Sequence, residues 1–333
     1  MKINHLILPF LSLSLLAPSA ARAAGTNTPS RLAVELRDGS HIVGTTEENS
    51  FKFHSAVKGE TTLDLMNIRS VDCTATNAAK LTLANGDRLT VSFVNSSLAV
   101  KTSFGKVWLA VEAIRSIRVS SDNGARHALK FNLSNRVEIP NSPQLQFGIS
   151  PFTISFWLKT DSERPLITII SKRTSSSGDG WVVHQNHGPL MLYSSGCCST
   201  TSRPVSTRDG QWHQVALTRL NGILNFYLDG KNVGSGEDTC NHYDNNPILI
   251  GMDGNGDSWH YEGELSEIHL YRRALDANEV MEEWNDGLGL NGPVAGGGLV
   301  AGYHFDEGQG SVAKDFSGNQ HDGSLINGPE WEN

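Results

Sequence analysis

Two turn-rich segments place oxygen-bearing side chains at alternate positions: Asp253, Asn255 and Asp257, and Asp315, Ser317 and Asn319 followed by Asp322. Calcium takes about six to eight oxygen ligands from carboxylates, amides and carbonyls, and loops of this kind supply them. Asp315, Ser317, Asn319 and Asp322 are therefore the expected metal ligands, with calcium the expected ion. The same residue types also make plain turns, because their side chains bond the backbone two residues on. Directly after the first segment come Trp259, His260 and Tyr261, and aromatic or imidazole groups recur at Trp181, His184, Tyr193 and His242-Tyr243. Sugars stack on aromatic faces and hydrogen-bond to Asp, Asn and His on loops. Trp181, His184, Tyr193, Tyr243, Asp253, Asn255, Asp257, Trp259 and His260 are thus the candidate ligand-binding residues, and carbohydrate is the candidate ligand. Packing of Trp259 and Tyr261 within their own loop competes with that reading.

Catalytic patterns are sparse. His184 and His187 lie three apart, on opposite faces of a strand, which is wrong for a shared zinc ion. The sequence holds neither a Gly-x-Ser-x-Gly elbow nor a Cys-x-x-Cys pair. The 27 Lys and Arg against 35 Asp and Glu, a formal charge of −8, exclude the basic surface that tracks nucleic acid phosphates.

Compartment follows from the first residues. Lys2 precedes an apolar run, Leu6 to Leu16, too short to span a bilayer, and Ala21-Arg22-Ala23 offers a cleavage site. Residues 1–23 read as a signal peptide, and the mature chain as exported, periplasmic or extracellular. No Cys follows the run to carry a lipid, and no later stretch is apolar enough for a membrane span. In such a compartment the four cysteines oxidise. Cys240 is expected to pair with Cys197 or Cys198, with Cys198–Cys240 the expected bridge; the remaining thiol either meets Cys73 or stays free.

The elements that must position these groups are strands. With 33 Gly among 333 residues and little helical periodicity, the chain reads as all-β. Val34-Glu35-Leu36-Arg37-Asp38-Gly39 recurs as Leu81-Thr82-Leu83-Ala84-Asn85-Gly86, and Ile68-Arg69-Ser70-Val71 as Ile114-Arg115-Ser116-Ile117, offsets of 47 and 46 residues. Phe51-Lys52-Phe53 matches Leu98-Ala99-Val100 between them. Residues 31–120 are therefore a duplicated small β module, a compact barrel or a pair of half-barrels, with hairpins at the Asp-Gly and Asn-Gly turns. Ser120 to Gly124 is the expected linker. From residue 127 to 333 short alternating strands recur at the spacing of a sandwich or jelly roll. One helix interrupts them, with Asp276 as N-cap, Glu279 completing a capping box, Gly287 closing it, and the role of covering an open end.

The strand sequences carry a resemblance. Ile154 to Lys159, Ile170-Ser171-Lys172, Trp212 to Ala216, Phe226 to Gly230, Ile248 to Gly251 and Gly263 to Leu275 resemble, in order, the laminin-G-like domains of the concanavalin A-like lectin/glucanase superfamily. The resemblance implies a jelly-roll sandwich, and Trp157, in an alternating strand, is expected to bury its indole in the core. It also implies a role in binding carbohydrate or cell-surface glycan, or else another protein in adhesion, and modestly favours calcium. Some members cut glucans with carboxylates in a Glu-x-Asp-x-x-Glu strand, to which Glu262-Gly263-Glu264-Leu265-Ser266-Glu267 is the nearest counterpart. Its central Asp is missing, and strand alternation sends Glu262 and Glu267 to opposite faces unless a bulge intervenes, so a non-enzyme is expected. Leu299 to Gly308, with Asp315 to Asn319 and His321-Asp322-Gly323, resembles the motif that usually opens such a domain; here it closes the chain and is expected to add strands to the same sandwich.

Overall fold

The computed structural model describes residues 30–55, 59–75, 78–83, 87–120, 126–174, 180–256, 259–285, 289, 294 and 296–332. The expected signal segment 1–23, residues 121–124 of the expected linker, the Asn85-Gly86 turn, Asp257 and Gly287 lie outside them, while Ser120 ends a strand and is buried.

Residues 30–120 form a ten-stranded antiparallel sheet around a separate apolar core that includes Leu32, Val34, Phe53, Ile68, Leu81, Val100 and Ile117. The duplication extends to a 3-10 turn before the last strand of each copy, Leu65–Asn67 and Val111–Ala113. The copies are interwoven. The hairpin Ser50–Ser55/Gly59–Asp64 of the first extends the second copy's sheet by pairing Phe53 with Phe93. The hairpin Ser97–Thr102/Gly105–Ala110 of the second pairs back through Lys101 to Thr45 of the first. One apolar core therefore spans both copies.

Residues 127–332 form a jelly-roll sandwich of two eight-stranded sheets. One orders Lys231–Glu237, Ile223–Leu228, His213–Leu220, Phe152–Lys159, Glu262–Tyr271, Ala128–Asn132 and Glu330–Glu332, with Leu299–Tyr303 pairing beside Glu262–Tyr271. The other runs Cys198–Pro204, Pro189–Ser194, Trp181–Asn186, Leu166–Lys172, Ile248–Ile250, Arg136–Ile139, Gly323–Ile326 and Val312–Ala313. Inward residues from both, among them Phe131, Phe156, Trp181, Phe226, Tyr261 and Tyr303, fill the space between. The tail contributes to both sheets and brings Glu332 opposite Ala128, which joins the two ends of the domain. Asp229 and Gly230, at φ 49 and 73, make the expected hairpin turn.

Trp157 departs from expectation. Its neighbours Phe156 and Leu158 face the core, so alternation turns Trp157 to the outer face, where it is buried beneath the Arg126 guanidinium, 3.6 Å from the ring centre. The helix Ala277–Trp284 has its capping box of Asp276 and Glu279, but it ends on left-handed Asn285 and packs on that same outer face against Ala216, Tyr227 and Tyr271. It covers a sheet face, not an open end of the sandwich.

The strand Glu262–Tyr271 changes partner halfway. Residues 262–265 pair with 129–132, and 268–271 with the tail strand Leu299–Tyr303. At the changeover it carries one extra residue opposite Phe156, and Glu267 takes the left-handed φ of 47°.

Candidate functional site

Four polar constellations emerge, and they differ in what already occupies their lone pairs. The first is the loop 253–260. Asp253 is 1% exposed and accepts two hydrogen bonds from Arg173, at 2.9 and 2.5 Å. Its Oδ2 lies 3.7 Å from His184 Nε2, while His184 Nδ1 meets the Thr168 hydroxyl. Arg173 lies over Tyr193 at 5.0 Å, and Trp259 stands edge-on to His184 at 6.1 Å. The structure thus brings Tyr193, His184, Asp253 and Trp259 together, but around a buried arginine. Asp253 and His184 have no surface to offer a ligand, and Trp181, 1% exposed and stacked on Phe147, is core. Asn255 bonds Asp253 through its backbone, and His260 Nδ1 meets the Leu133 carbonyl, both in turn roles. Only Trp259 and Tyr193 present ring surface.

The second is the tail turn. Asp315 Oδ1 accepts from the Gly302 and Ser317 amides, and its Oδ2 from the Ser317 hydroxyl and the His321 amide. Asp322 accepts from the Asp315 amide and from Lys314 Nζ, and Asn319 donates to the Leu299 and Val300 carbonyls. Every carboxylate oxygen of Asp315 and Asp322 holds an N–H or O–H donor. These bonds tie the tail to its strand.

The third is a cleft of about 500 Å³ at the sandwich rim. In Asn241-His242-Tyr243-Asp244-Asn245 the burial alternates: His242 and Asp244 point in, while Asn241, Tyr243 and Asn245 are exposed. The facing wall is Asn141 to Ser150, with the 3-10 turn Pro143–Leu145 and a bridge from Gly148 to His242. Beneath lies a buried pair, Lys172 and Asp244, at 2.9 Å. Burial drives the Lys172 amine down and the Asp244 carboxyl up from their ordinary values, and their mutual contact opposes both shifts. Lys172 Nζ also holds the Asn141 side-chain oxygen at 3.0 Å, and Gln146 accepts from the Asp244 amide at 3.0 Å. Four amide side chains, Asn141, Gln146, Asn241 and Asn245, thus line a cleft with Tyr243, 52% exposed, at its edge. Of the candidate ligand residues, only Tyr243 belongs here. Tyr243 is singled out by residue type, but the inward turn of His242 and Asp244 and the contribution of Asn141 and Gln146 need the fold. A larger cleft between the duplicated module and the helix is a charge-paired seam, with Arg118 on Asp72 at 2.6 Å and Arg69 on Glu282 at 3.4 Å.

The fourth constellation has no counterpart among the expected sites. At the bulge, Glu267 Oε2 lies 2.8 Å from His304 Nδ1 and 3.4 Å from His269 Nε2. His269 Nδ1 meets Glu283 at 2.8 Å. Burial alone would raise the Glu267 carboxyl, but His304 and His269 outweigh it and hold it at about 2; burial alone would lower His269, but Glu267 and Glu283 push it up to about 9. Glu262 is engaged elsewhere, by the Ser162 hydroxyl at 3.1 Å. Five residues of strand set Glu262 and Glu267 about 15 Å apart along the chain, against the roughly 5–10 Å that glycoside hydrolysis needs between its carboxyls. The bulge that could have turned them together instead hands Glu267 to histidines.

Cys240 lies at bonding distance from both Cys197 and Cys198, as expected for one bridge between these loops. Cys73 is a free, half-buried thiol in the other module.

Comparison with known proteins agrees with this architecture. Residues 131–281 match the laminin G family described as the concanavalin A-like lectin/glucanases superfamily, so this part of the chain is a laminin-G-like domain. Among solved structures the chain is similar to a protein from Bacteroides ovatus ATCC 8483, described as a candidate carbohydrate-binding protein. The two share 16% identity over 93% of this chain and 89% of the other, with a TM-score of 0.52. It is also similar to domain 4 of AbnA, an extracellular arabinanase from Geobacillus stearothermophilus, solved with arabinotriose, at 18% identity, 57% and 82% coverage and a TM-score of 0.40. A mouse laminin α1 LG4–5 structure matches at 16% identity, 75% and 82% coverage and a TM-score of 0.35. No curated protein matches the chain. Among the described residues, no helix is long and apolar enough to cross a membrane.

Proposed function

We propose that the protein is an exported, non-catalytic carbohydrate-binding protein whose sandwich holds sugar in the cleft between residues 141–150 and 241–245. The observation that carries the proposal is the exposed Tyr243 ring beside three exposed amide side chains, Asn141, Asn241 and Asn245, while Gln146 is buried behind them with both amide atoms bonded to Asp244 and Asn141. Amides both donate and accept, matching the hydroxyls of a sugar, and an exposed aromatic face matches its apolar side. The buried Lys172–Asp244 pair supports the reading, because it fixes the amides before ligand arrives and reduces the ordering cost of binding. The Cys240 bridge supports an oxidising compartment, and the amino-terminal apolar run supports export.

Adhesion to a protein is the second reading, favoured by Phe104 and Trp108, both largely exposed on the hairpin Ser97–Thr102/Gly105–Ala110 at the edge of the duplicated module. A glycan array probed with the full mature chain, in calcium and in chelator, separates the readings. Specific glycan capture that survives chelator is expected. Silence on every glycan would leave adhesion as the better reading, and release of shortened oligosaccharides would overturn the non-catalytic assignment.

A further inference from the structure

We infer that Glu267, His269 and His304 form a binding site for a divalent transition-metal ion, with zinc the best match. Two borderline imidazoles with one hard carboxylate make a donor set that suits zinc and other first-row divalent ions better than calcium, which takes oxygen alone. Their donor atoms all lie within 4.8 Å of one another. A tetrahedral ion with bonds of about 2.0–2.2 Å sets neighbouring donors about 3.3–3.5 Å apart. Glu267 Oε2 and His269 Nε2 already stand at 3.4 Å, and the 2.8 Å contact from Glu267 to His304 needs to open by only a fraction of an ångström.

The supporting shell is what separates this cluster from a chance salt bridge. Glu283, buried on the helix Ala277–Trp284, accepts a hydrogen bond from His269 Nδ1 at 2.8 Å, which leaves Nε2 as the nitrogen that an ion would bind by displacing its proton. That Nε2 is buried and makes no hydrogen bond. The Tyr271 hydroxyl and the Gln214 amide both donate to Glu283, at 3.0 and 3.4 Å, and hold it in place. A carboxylate behind a ligating imidazole is the usual means of fixing the ring and raising its basicity. Phe316 walls the other side, stacked on His304 at 3.9 Å and edge-on to His269 at 5.5 Å. It reaches that position because residue 302 is glycine; a Cβ there would meet the Phe316 ring at 2.6 Å. A divalent ion would offset the charges of Glu267 and Glu283 together. His304 keeps 28% of its side chain exposed, so the ion can enter and a fourth position opens to water.

The site is separate from the amide cleft and stands whether or not the cleft binds sugar. Its test is titration of the oxidised full chain, stripped with chelator, with zinc and with calcium, by calorimetry and metal analysis. One zinc per chain at micromolar affinity or better is expected, with no response to calcium at this site. Glu283→Gln should weaken zinc about 10–100-fold, and His304→Ala should weaken it further. A Cys197→Ser/Cys198→Ser/Cys240→Ser variant should retain it, which rules the thiols out as the ligands. Zinc should also raise the unfolding temperature of the native chain and leave that of His304→Ala unchanged, a readout that holds if binding in the variant is too weak to titrate. Absence of stoichiometric zinc, or zinc affinity undiminished by His304→Ala in a chain with native circular dichroism, overturns the inference.

Discussion

The loops 241–245 and 253–260 lie close in sequence and carry the same residue types, yet one presents its polar groups and the other consumes them. In the first, Asn241, Tyr243 and Asn245 face outward while Asp244 is bound beneath by Lys172. In the second, the acidic residue that promised a ligand site is sequestered by Arg173. The tail turn repeats the second pattern, with Asp315 holding four donors. A carboxylate marks a binding site only while its lone pairs are accessible or held by exchangeable partners, as the imidazoles at Glu267 are. Composition and alternation do not reveal which case applies, because a buried arginine or a backbone amide from elsewhere in the fold decides it.

The largest way to sharpen this contrast is to break the consumed loop. Asp253→Ala leaves the Arg173 guanidinium buried without its carboxylate and should cost about 3–5 kcal/mol, whereas Asn245→Ala on the presenting loop should stay within about 0.5 kcal/mol. Urea unfolding of the two variants makes the comparison, and equal costs would break it. Asp315→Ala should follow at about 3 kcal/mol, since several donors lose an ionised acceptor at once. Added calcium should not move the unfolding midpoint of the native chain through this turn; a calcium-dependent stabilisation lost in Asp315→Ala would restore the metal reading.

The smallest effect concerns His213, between Asp229 at 2.8 Å and Asp209 at 3.2 Å. The Asp229 hydrogen bond raises its pKa above the ordinary value, against an opposing effect of burial. A histidine whose folded pKa is raised contributes fully below its unfolded value of about 6.5 and loses that contribution as pH rises through the folded pKa. His213→Gln should therefore lower stability near pH 6 by less than about 1 kcal/mol and matter little by pH 9. A cost that grows with pH would contradict the assignment.

Much of the fold is legible in the sequence because it rests on local pattern: alternation gives the strands, Asp229-Gly230 a hairpin, Asp276 and Glu279 a helix start. The duplication is legible too, but not its interweaving, which depends on which hairpin pairs with which copy. The outward face of Trp157 is not legible, because alternation fixes that a residue is opposite its neighbours, not which face has a second cover; here Arg126 supplies one. The site was the least legible part. Tyr243 is singled out by type, while Asn141 and Gln146 come from a wall about a hundred residues earlier. Glu267, His269 and His304 are joined only by a bulge and by the tail returning as a neighbouring strand.

Binding of one captured oligosaccharide to Tyr243→Ala and to Trp259→Ala, measured side by side by calorimetry, tests the central claim most directly. The presenting loop should dominate: Tyr243→Ala should lose about 10-fold or more in affinity, the worth of roughly one stacked ring, and Trp259→Ala should stay within about 2-fold, under half a kcal/mol. Loss confined to Trp259→Ala would place the sugar on the loop 253–260 and contradict the account.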